Sequence, residues 1–373
     1  MLLALLITSL CLAGPGQQPT NEISSRFNRA LELQRQGAWS EAEAEYRAVV
    51  ALAPDYAEAQ ANLGVVLSRL GKYEGAISAF ESALRLNPEL RPILLNLGIA
   101  HYRAGQFGKA AEALENFLVS SPDNTQAHQL AGLSFVELGR YSEAIEHLEP
   151  VVSKNAPDVT VLYGLGLSYL RTDRRKKIAP IKEQLATQPG GPALAHLLEG
   201  QALLESFELE KAVTELEAAA RDAPDLPRLQ FSLGFAYLKL GRYAEAKVCL
   251  EKELRRTARD FSTLYYLAFV LERQGDLDGA RQRVEAALQE EPESAEAATL
   301  QGSILLKQGQ TAEAVRVLEV AVARQPQESE PRYLLARGYQ KLGRMQDAAR
   351  EFAEVERLKA QEREREKARK QAP

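Results

Sequence analysis

Between Ala57 and Leu70, the apolar residues Leu63, Val66, Leu67 and Leu70 recur at the spacing of one helical face. Ile77, Phe80, Ala83 and Leu84 repeat that pattern between Tyr73 and Leu86, so the stretch predicts two helices. Gly71 lies between them, where a glycine can take the left-handed conformation that closes a helix end. Gly37, Gly105, Gly139, Gly241, Gly275, Gly309 and Gly343 occupy the same place elsewhere. Proline then follows the second helix at Pro54, Pro88, Pro122, Pro224, Pro292 and Pro326, because it cannot extend the hydrogen-bonded ladder. The pattern reads as helix, tight turn, helix, stop, many times over.

One small position fixes the period. Ala30, Gly64, Gly98, Gly132, Gly166, Gly200, Gly234, Ala268, Gly302 and Ala336 follow at a constant step of 34 residues. Twelve residues further on stand Ala42, Ala76, Ala110, Ala144, Ile178, Ala212, Ala246, Ala280, Ala314 and Ala348. Ten copies therefore run from Ile23 to about Glu362 without insertion or deletion. A fixed period of this size marks a stack of identical supersecondary units. Gly64 and Ala76 are expected to face each other and let the two helices cross closely. An aromatic early in the second helix (Trp39, Tyr73, Phe107, Tyr141 or Tyr243) would fill the space toward the next unit.

This arrangement resembles the tetratricopeptide repeat: small at the eighth position, glycine at the fifteenth, aromatic at the seventeenth, alanine at the twentieth, proline at the thirty-second. The resemblance covers about nine-tenths of the chain. It implies an all-α fold, a right-handed superhelical solenoid of antiparallel helix pairs whose first helices line a concave groove. It does not imply a reaction.

The chain divides by sequence into a signal segment (1–13), a linker (14–22), regular repeats one to four (23–158), a degenerate fifth repeat (159–192), repeats six to ten (193–362) and a charged extension of the last helix (363–373). Pro150 is expected to bend one second helix. In the fifth repeat Asp173 replaces the turn glycine, Ile178 replaces the alanine, Pro180 should interrupt the second helix, and Gly190-Gly191-Pro192 follows. The sixth has Phe207 where glycine is expected. Residues 172–192 read either as a joint between two regular arms or as a worn repeat still packed in register. The Lys-, Arg- and Glu-rich end reads as a polar cap on the open stack, or as a basic docking tail.

Leu2 to Leu12 is apolar, and Cys11-Leu12-Ala13 offers small residues before a cut ahead of Gly14, as in an export signal. A basic n-region is missing, and an uncleaved anchor is the alternative; the stretch falls short of the roughly 20 residues a membrane span needs. Leu10 is too bulky for a lipoprotein signal at Cys11. The expected location is exported, periplasmic or secreted. Cys249 would then be the only cysteine left, a small buried hydrophobe with no internal disulfide. A net charge of −5 gives no reason to expect nucleic acid.

His101, His128, His147 and His196 show no metal-ligand spacing, and no phosphate loop or nucleophile elbow occurs. The repeats leave no length for a catalytic domain. No enzyme activity, cofactor, metal or small-molecule substrate is expected.

Binding is the expectation that remains, and the family resemblance implies where. Positions two, five, nine, twelve and thirteen of the first helix tend to face the groove in such repeats. The thirteenth is basic in eight of ten copies, including Arg69, Arg103, Arg171, Lys239, Arg273, Lys307 and Lys341. This row suits an acidic peptide, or simply complements the helix dipole. Tyr102, Tyr163, Phe231, Phe235, Tyr265, Phe269 and Tyr333 occupy the other inward positions, as partner anchors or as packing between first helices. Asn62 and Asn96, at the sixth position, are comparable to asparagines that hold an extended peptide backbone in some relatives. The leading expectation is a non-catalytic scaffold that binds a protein or peptide; the alternative is a self-assembling rod or accessory subunit of an envelope or secretion complex. Contact with a membrane would come only through the N-terminal segment.

Overall fold

A glycine that closes a first helix leaves two orphan carbonyls to satisfy, and the repeats satisfy them identically. In the second repeat Gly71 has φ +73°, its N–H donates to the Ser68 carbonyl, and the Lys72 N–H reaches back to that of Leu67 at 2.9 Å. These are the paired bonds of a Schellman turn. The same pair closes the first helices at Gly241 and Arg242. Asp173 and Phe207, without glycine's freedom, adopt the same left-handed turn at φ 56° and 58°. The substitutions expected to degrade those two repeats thus keep the geometry and carry strain, which costs roughly 1 kcal/mol or more for a bulky side chain.

The computed structural model describes residues 21–154 and 158–371. The expected signal segment and residues 14–20 of the linker lie outside them, whereas Asn21 and Glu22 open the first helix. The first unit, which ends at Ile181, contains α1 (Asn21–Arg35), α2 (Trp39–Leu52), α3 (Ala57–Arg69), α4 (Tyr73–Leu86), α5 (Ile93–Arg103), α6 (Phe107–Leu118), α7 (Thr125–Glu137), α8 (Tyr141–Lys154) and α9 (Val159–Arg171). A single 3₁₀ turn over Arg175–Lys177 leads into α10 (Ile178–Ala186), within which the second unit begins at Lys182. That unit contains α11 (Gly191–Glu205), α12 (Leu209–Asp222), α13 (Leu229–Lys239), α14 (Tyr243–Leu254), α15 (Phe261–Gln274), α16 (Leu277–Glu290), α17 (Ala295–Lys307), α18 (Thr311–Arg324), α19 (Ser329–Lys341) and α20 (Met345–Gln371). No strand occurs among the described residues. Within each unit, successive helices pack as antiparallel hairpins, and each hairpin packs on the next.

The packing adds a large side chain to the expected approach of two small residues. A Cβ added to Gly64 would lie 2.6 Å from the Phe80 ring, and one on Gly302 would lie 2.4 Å from Leu318. Gly98, Gly132, Gly200 and Gly234 meet Leu114, Leu148, Leu216 and Leu250 in the same way. The glycine therefore admits a large side chain from one turn further along the second helix. The alanine at the twentieth position lets the backbones approach: the Ala212 and Ala246 carbonyls come within 3.3 Å of those added Cβ atoms. Tyr46, Phe80, Leu114 and Leu148 in the first unit, and Leu216, Leu250, Val284 and Leu318 in the second, are completely buried.

Neighbouring repeats are also tied by a recurring polar clamp. The Tyr169 hydroxyl donates to Glu149 at 2.5 Å, Tyr237 to Glu217 at 2.5 Å and Tyr339 to Glu319 at 2.7 Å. A cation covers each ring: Lys177, Arg242 and Arg344, the last at 4.1 Å. Burial and the bonded carboxylate both push these phenols above their ordinary range. Tyr237→Phe should cost about 1 kcal/mol, the worth of one such bond to a carboxylate that water can still reach. Urea unfolding followed by circular dichroism measures it, and an unchanged midpoint would show that the clamp is decorative.

Two proline expectations resolve differently. Pro180 does not interrupt its helix but sits in the first turn of α10, where its missing N–H is harmless. The helix instead begins late, and at nine residues is shorter than the 12 to 14 of α2, α4, α6 and α8. α8 continues past Pro150 to Lys154 without ending. Cys249 is buried, and burial pushes its thiol up to about 11.

Candidate partner-binding face

Within the second unit successive first helices touch from α11 to α19, and α13 and α15 do so with aromatic side chains. Phe231 and Phe235, one helical turn apart on α13, lie parallel with centroids 6.3 Å apart. Tyr266 of α15 touches both, at 5.9 and 5.1 Å. Tyr265 meets Tyr266 edge-on at 5.2 Å and stacks on Phe261 at 6.1 Å. All five rings are half-buried, and burial pushes the Tyr265 hydroxyl up to about 12.

Cations rim this floor. Arg228 stands 4.1 Å over Phe231, Lys239 5.0 Å over Phe235, and Arg273 4.7 Å over Phe269. Such pairs contribute roughly 0.5–1 kcal/mol each at open sites. Arg228 is held by Asp260 at 2.9 Å, and Asp260 also caps α15 through the Thr263 N–H. The buried Glu272 accepts from Ser303 at 2.6 Å and from Lys307 at 3.1 Å, with Arg273 at 3.9 Å. Lys341 donates to the Leu306 carbonyl. The basic row is therefore uneven: Lys307 and Arg273 share one carboxylate, while Lys239 has no carboxylate within 4 Å among the described residues.

The sequence picked out Phe231, Phe235, Tyr265 and Phe269 as a cluster. The first three come together, whereas Phe269 pairs with Arg273. Tyr266, Phe261, Arg228 and Glu272 were missed. Tyr266 falls at the sixth position, the register at which Asn62 and Asn96 stood out, so scanning that register along the whole chain would have found it. Tyr333 is 43% exposed and leans on Phe352.

In the first unit the candidates are more dispersed. Asn62 spends its amide on its own helix, donating to the Glu58 carbonyl at 2.9 Å. Asn96 is half-buried, and Asn28, one repeat before Asn62, is an exposed third member of that series. Arg69 lies 5.8 Å over the Trp39 ring. Tyr102 packs edge-on against Phe107, with Arg103 exposed beside it. Tyr163 is half-buried and Arg171 is exposed.

Helix hairpins repeated in tandem, with side chains of successive first helices forming one face, define a helical-repeat scaffold. Models of the tetratricopeptide repeat match residues 27–90, 95–149, 130–176, 197–256 and 265–329, and a second such model matches 305–371. The chain belongs to the tetratricopeptide repeat family, whose arrays are protein-interaction scaffolds. No curated protein matches it. Among solved structures it is similar to the APC/C hetero-tetramer Cut9–Hcn1, at 15% identity and a TM-score of 0.56 over 93% of this chain and 76% of that one; this likeness shows the fold alone. It also matches a MamA RS-1 ArsTM double mutant at 23% identity and a TM-score of 0.43, over 46% of this chain and 96% of that one.

Proposed function

We propose that this protein is a non-catalytic, exported scaffold that captures a protein or peptide partner on its first-helix face, with a preference for acidic segments. The observation that carries the reading is the ring floor of Phe231, Phe235, Tyr265 and Tyr266 with its cationic rim. Half-buried rings are held by their neighbours yet keep apolar surface in reach of a ligand. A surface formed in advance binds at little ordering cost. Arginine and aromatic residues together are the usual anchors of protein interfaces. Lys239, which lacks a carboxylate of its own, is placed to receive one from the partner.

The test is a titration of the partner recovered from an envelope extract against the full chain. Lys239→Glu combined with Arg273→Glu should weaken binding at least about tenfold, mostly by slower association, and the wild-type affinity should fall with salt. Unchanged affinity in that variant would remove the cationic rim from the account. Unchanged affinity in Phe235→Ala would remove the face itself.

A further inference from the structure

The seven residues that link first and second helix in each repeat, from the thirteenth to the nineteenth position, form one edge of a hairpin stack. In the first unit, contacts tie consecutive turns along that edge: Arg69 of the second turn covers Trp39 of the first, and Lys72 pairs with Glu43 just beyond it at 2.7 Å. Charge is distributed unequally along this edge. Residues 21–181 hold 17 lysines and arginines against 19 acidic residues. Their five turns hold eleven of those cations and only five of the acids, a net charge of +6 that leaves −8 on the remainder. All eleven cations are exposed. In the second unit the five equivalent turns hold seven cations against eight acids, so the repeat motif alone does not impose the bias.

The fifth repeat contributes most. Its turn, residues 171–177, carries five cations and one acid. Arg175 stands at the position that is aromatic in the first four repeats, and the 3₁₀ turn holds Arg175, Lys176 and Lys177 outward in succession. Asp173 pairs with Arg175 and Glu149 with Lys177, and Arg174 also acts on the Glu149 carboxylate. Beneath the turn, Ile178 and Ile181 are buried and fix it to the stack.

We infer that this edge of the first unit docks against an anionic lipid bilayer. The array is too long for a small ligand: five hairpins at about 8–10 Å spacing spread it over roughly 40 Å. Its aromatics, Trp39, Tyr73, Phe107 and Tyr141, are half-buried singly, one to a turn. Among its described residues Leu138 is the only large apolar side chain that is exposed, so the edge lacks the clustered anchors of a protein interface. A row of exposed cations at one level, poor in apolar anchors, suits a flat surface of repeated negative charge. There each cation is worth roughly 1 kcal/mol, about fivefold in partitioning. The opposing negative charge on the rest of the unit turns the edge, rather than a helix face, toward the lipid. This contact is separate from the ring floor of the second unit and from the apolar N-terminal segment, and it departs from the expectation that only that segment would meet a membrane.

Vesicle co-sedimentation of the full chain tests it. Phosphatidylglycerol-rich vesicles should bind the protein well beyond pure phosphatidylcholine vesicles, and salt should abolish the difference. Arg174→Glu with Lys176→Glu should reduce that anionic increment at least about tenfold. Arg283→Glu, the same change on an exposed arginine of α16 outside any turn, should leave it intact. Equal binding to both lipids, or an unaltered increment in a folded double variant, overturns the inference. Binding of poly-glutamate or RNA by this edge without binding to phosphatidylglycerol would also overturn it, in favour of a soluble polyanion.

Discussion

Leucine in place of Gly302 should destabilise the second unit by about 3 kcal/mol. A single added methyl already falls 2.4–2.5 Å from Leu318 Cγ and Cδ2, the branch point and one end of a completely buried side chain. Overpacking of a filled core costs typically 1–3 kcal/mol, occasionally more, and leucine adds three carbons beyond that methyl. Replacing a mid-helix glycine returns only about 0.8–1 kcal/mol of helix propensity. The clash wins. Because each repeat contacts only its neighbours, the loss should be local. Hydrogen exchange should quicken across α17, α18 and the facing side of α19, while α3 and α4 in the first unit keep wild-type protection. Gly309→Ala is the counterpart: its new methyl meets nothing within 4 Å, so only the φ of +80° is paid for, about 1 kcal/mol. Equal stability of Gly302→Leu and wild type would refute the packing described for all six glycines.

Acid should weaken the first unit well before its carboxylates protonate. His128 Nε2 donates to the Pro122 carbonyl at 2.8 Å, which leaves its Nδ1 to accept from His147 Nδ1 at 3.0 Å. His147 also stacks on Phe135, whose own ring lies beneath Arg140. Burial first, and the neighbouring imidazole second, push His147 down to about 4 from an ordinary value of 6.5. Above pH 6.5 both folded and unfolded chains keep this ring neutral, and its contribution is whole. As pH falls from 6.5 toward 4 the unfolded chain takes up a proton that the folded chain refuses, so stability is lost across that window. At pH 5 the loss amounts to about 2 kcal/mol. His101, buried on α5, is shifted in the same direction and adds to it. Melting curves at pH 7.5 and pH 5 for the wild type and His147→Gln provide the measurement. The variant should lose most of the difference between the two pH values; a difference as large as that of the wild type would clear His147 of responsibility.

What the sequence could and could not disclose follows from the range of each interaction. Turn glycines, helical faces and terminal prolines act within a few residues, so the hairpins were legible from spacing alone. Asp173 and Phe207 showed the limit of that reading, because the helix-closing hydrogen bonds form at both in a conformation that glycine would adopt more readily. Phe80 as a partner of Gly64 was not legible, because the crossing of two helices, not the spacing of small residues, brings its ring over the glycine. On the binding face, Phe231 and Phe235 were legible as neighbours one turn apart. Tyr266 joins them from another repeat: its register marked it in the sequence, but its contact with both rings depends on how α13 and α15 pack. The His128–His147 pair was hidden for a similar reason: its members sit 19 residues apart on two helices. The row of first-helix cations is a pattern in the sequence, but its members differ in availability, and for Arg273 and Lys307 this depends on Glu272, a buried acid that no periodicity announces.

The constant step also bears on how such a chain can change over generations. A copy gained or lost in whole multiples of 34 residues leaves every junction chemically equivalent to one already present. Length is thus a trait that recombination can adjust in discrete increments, whereas a slip of even one residue would misalign each contact downstream in that hairpin.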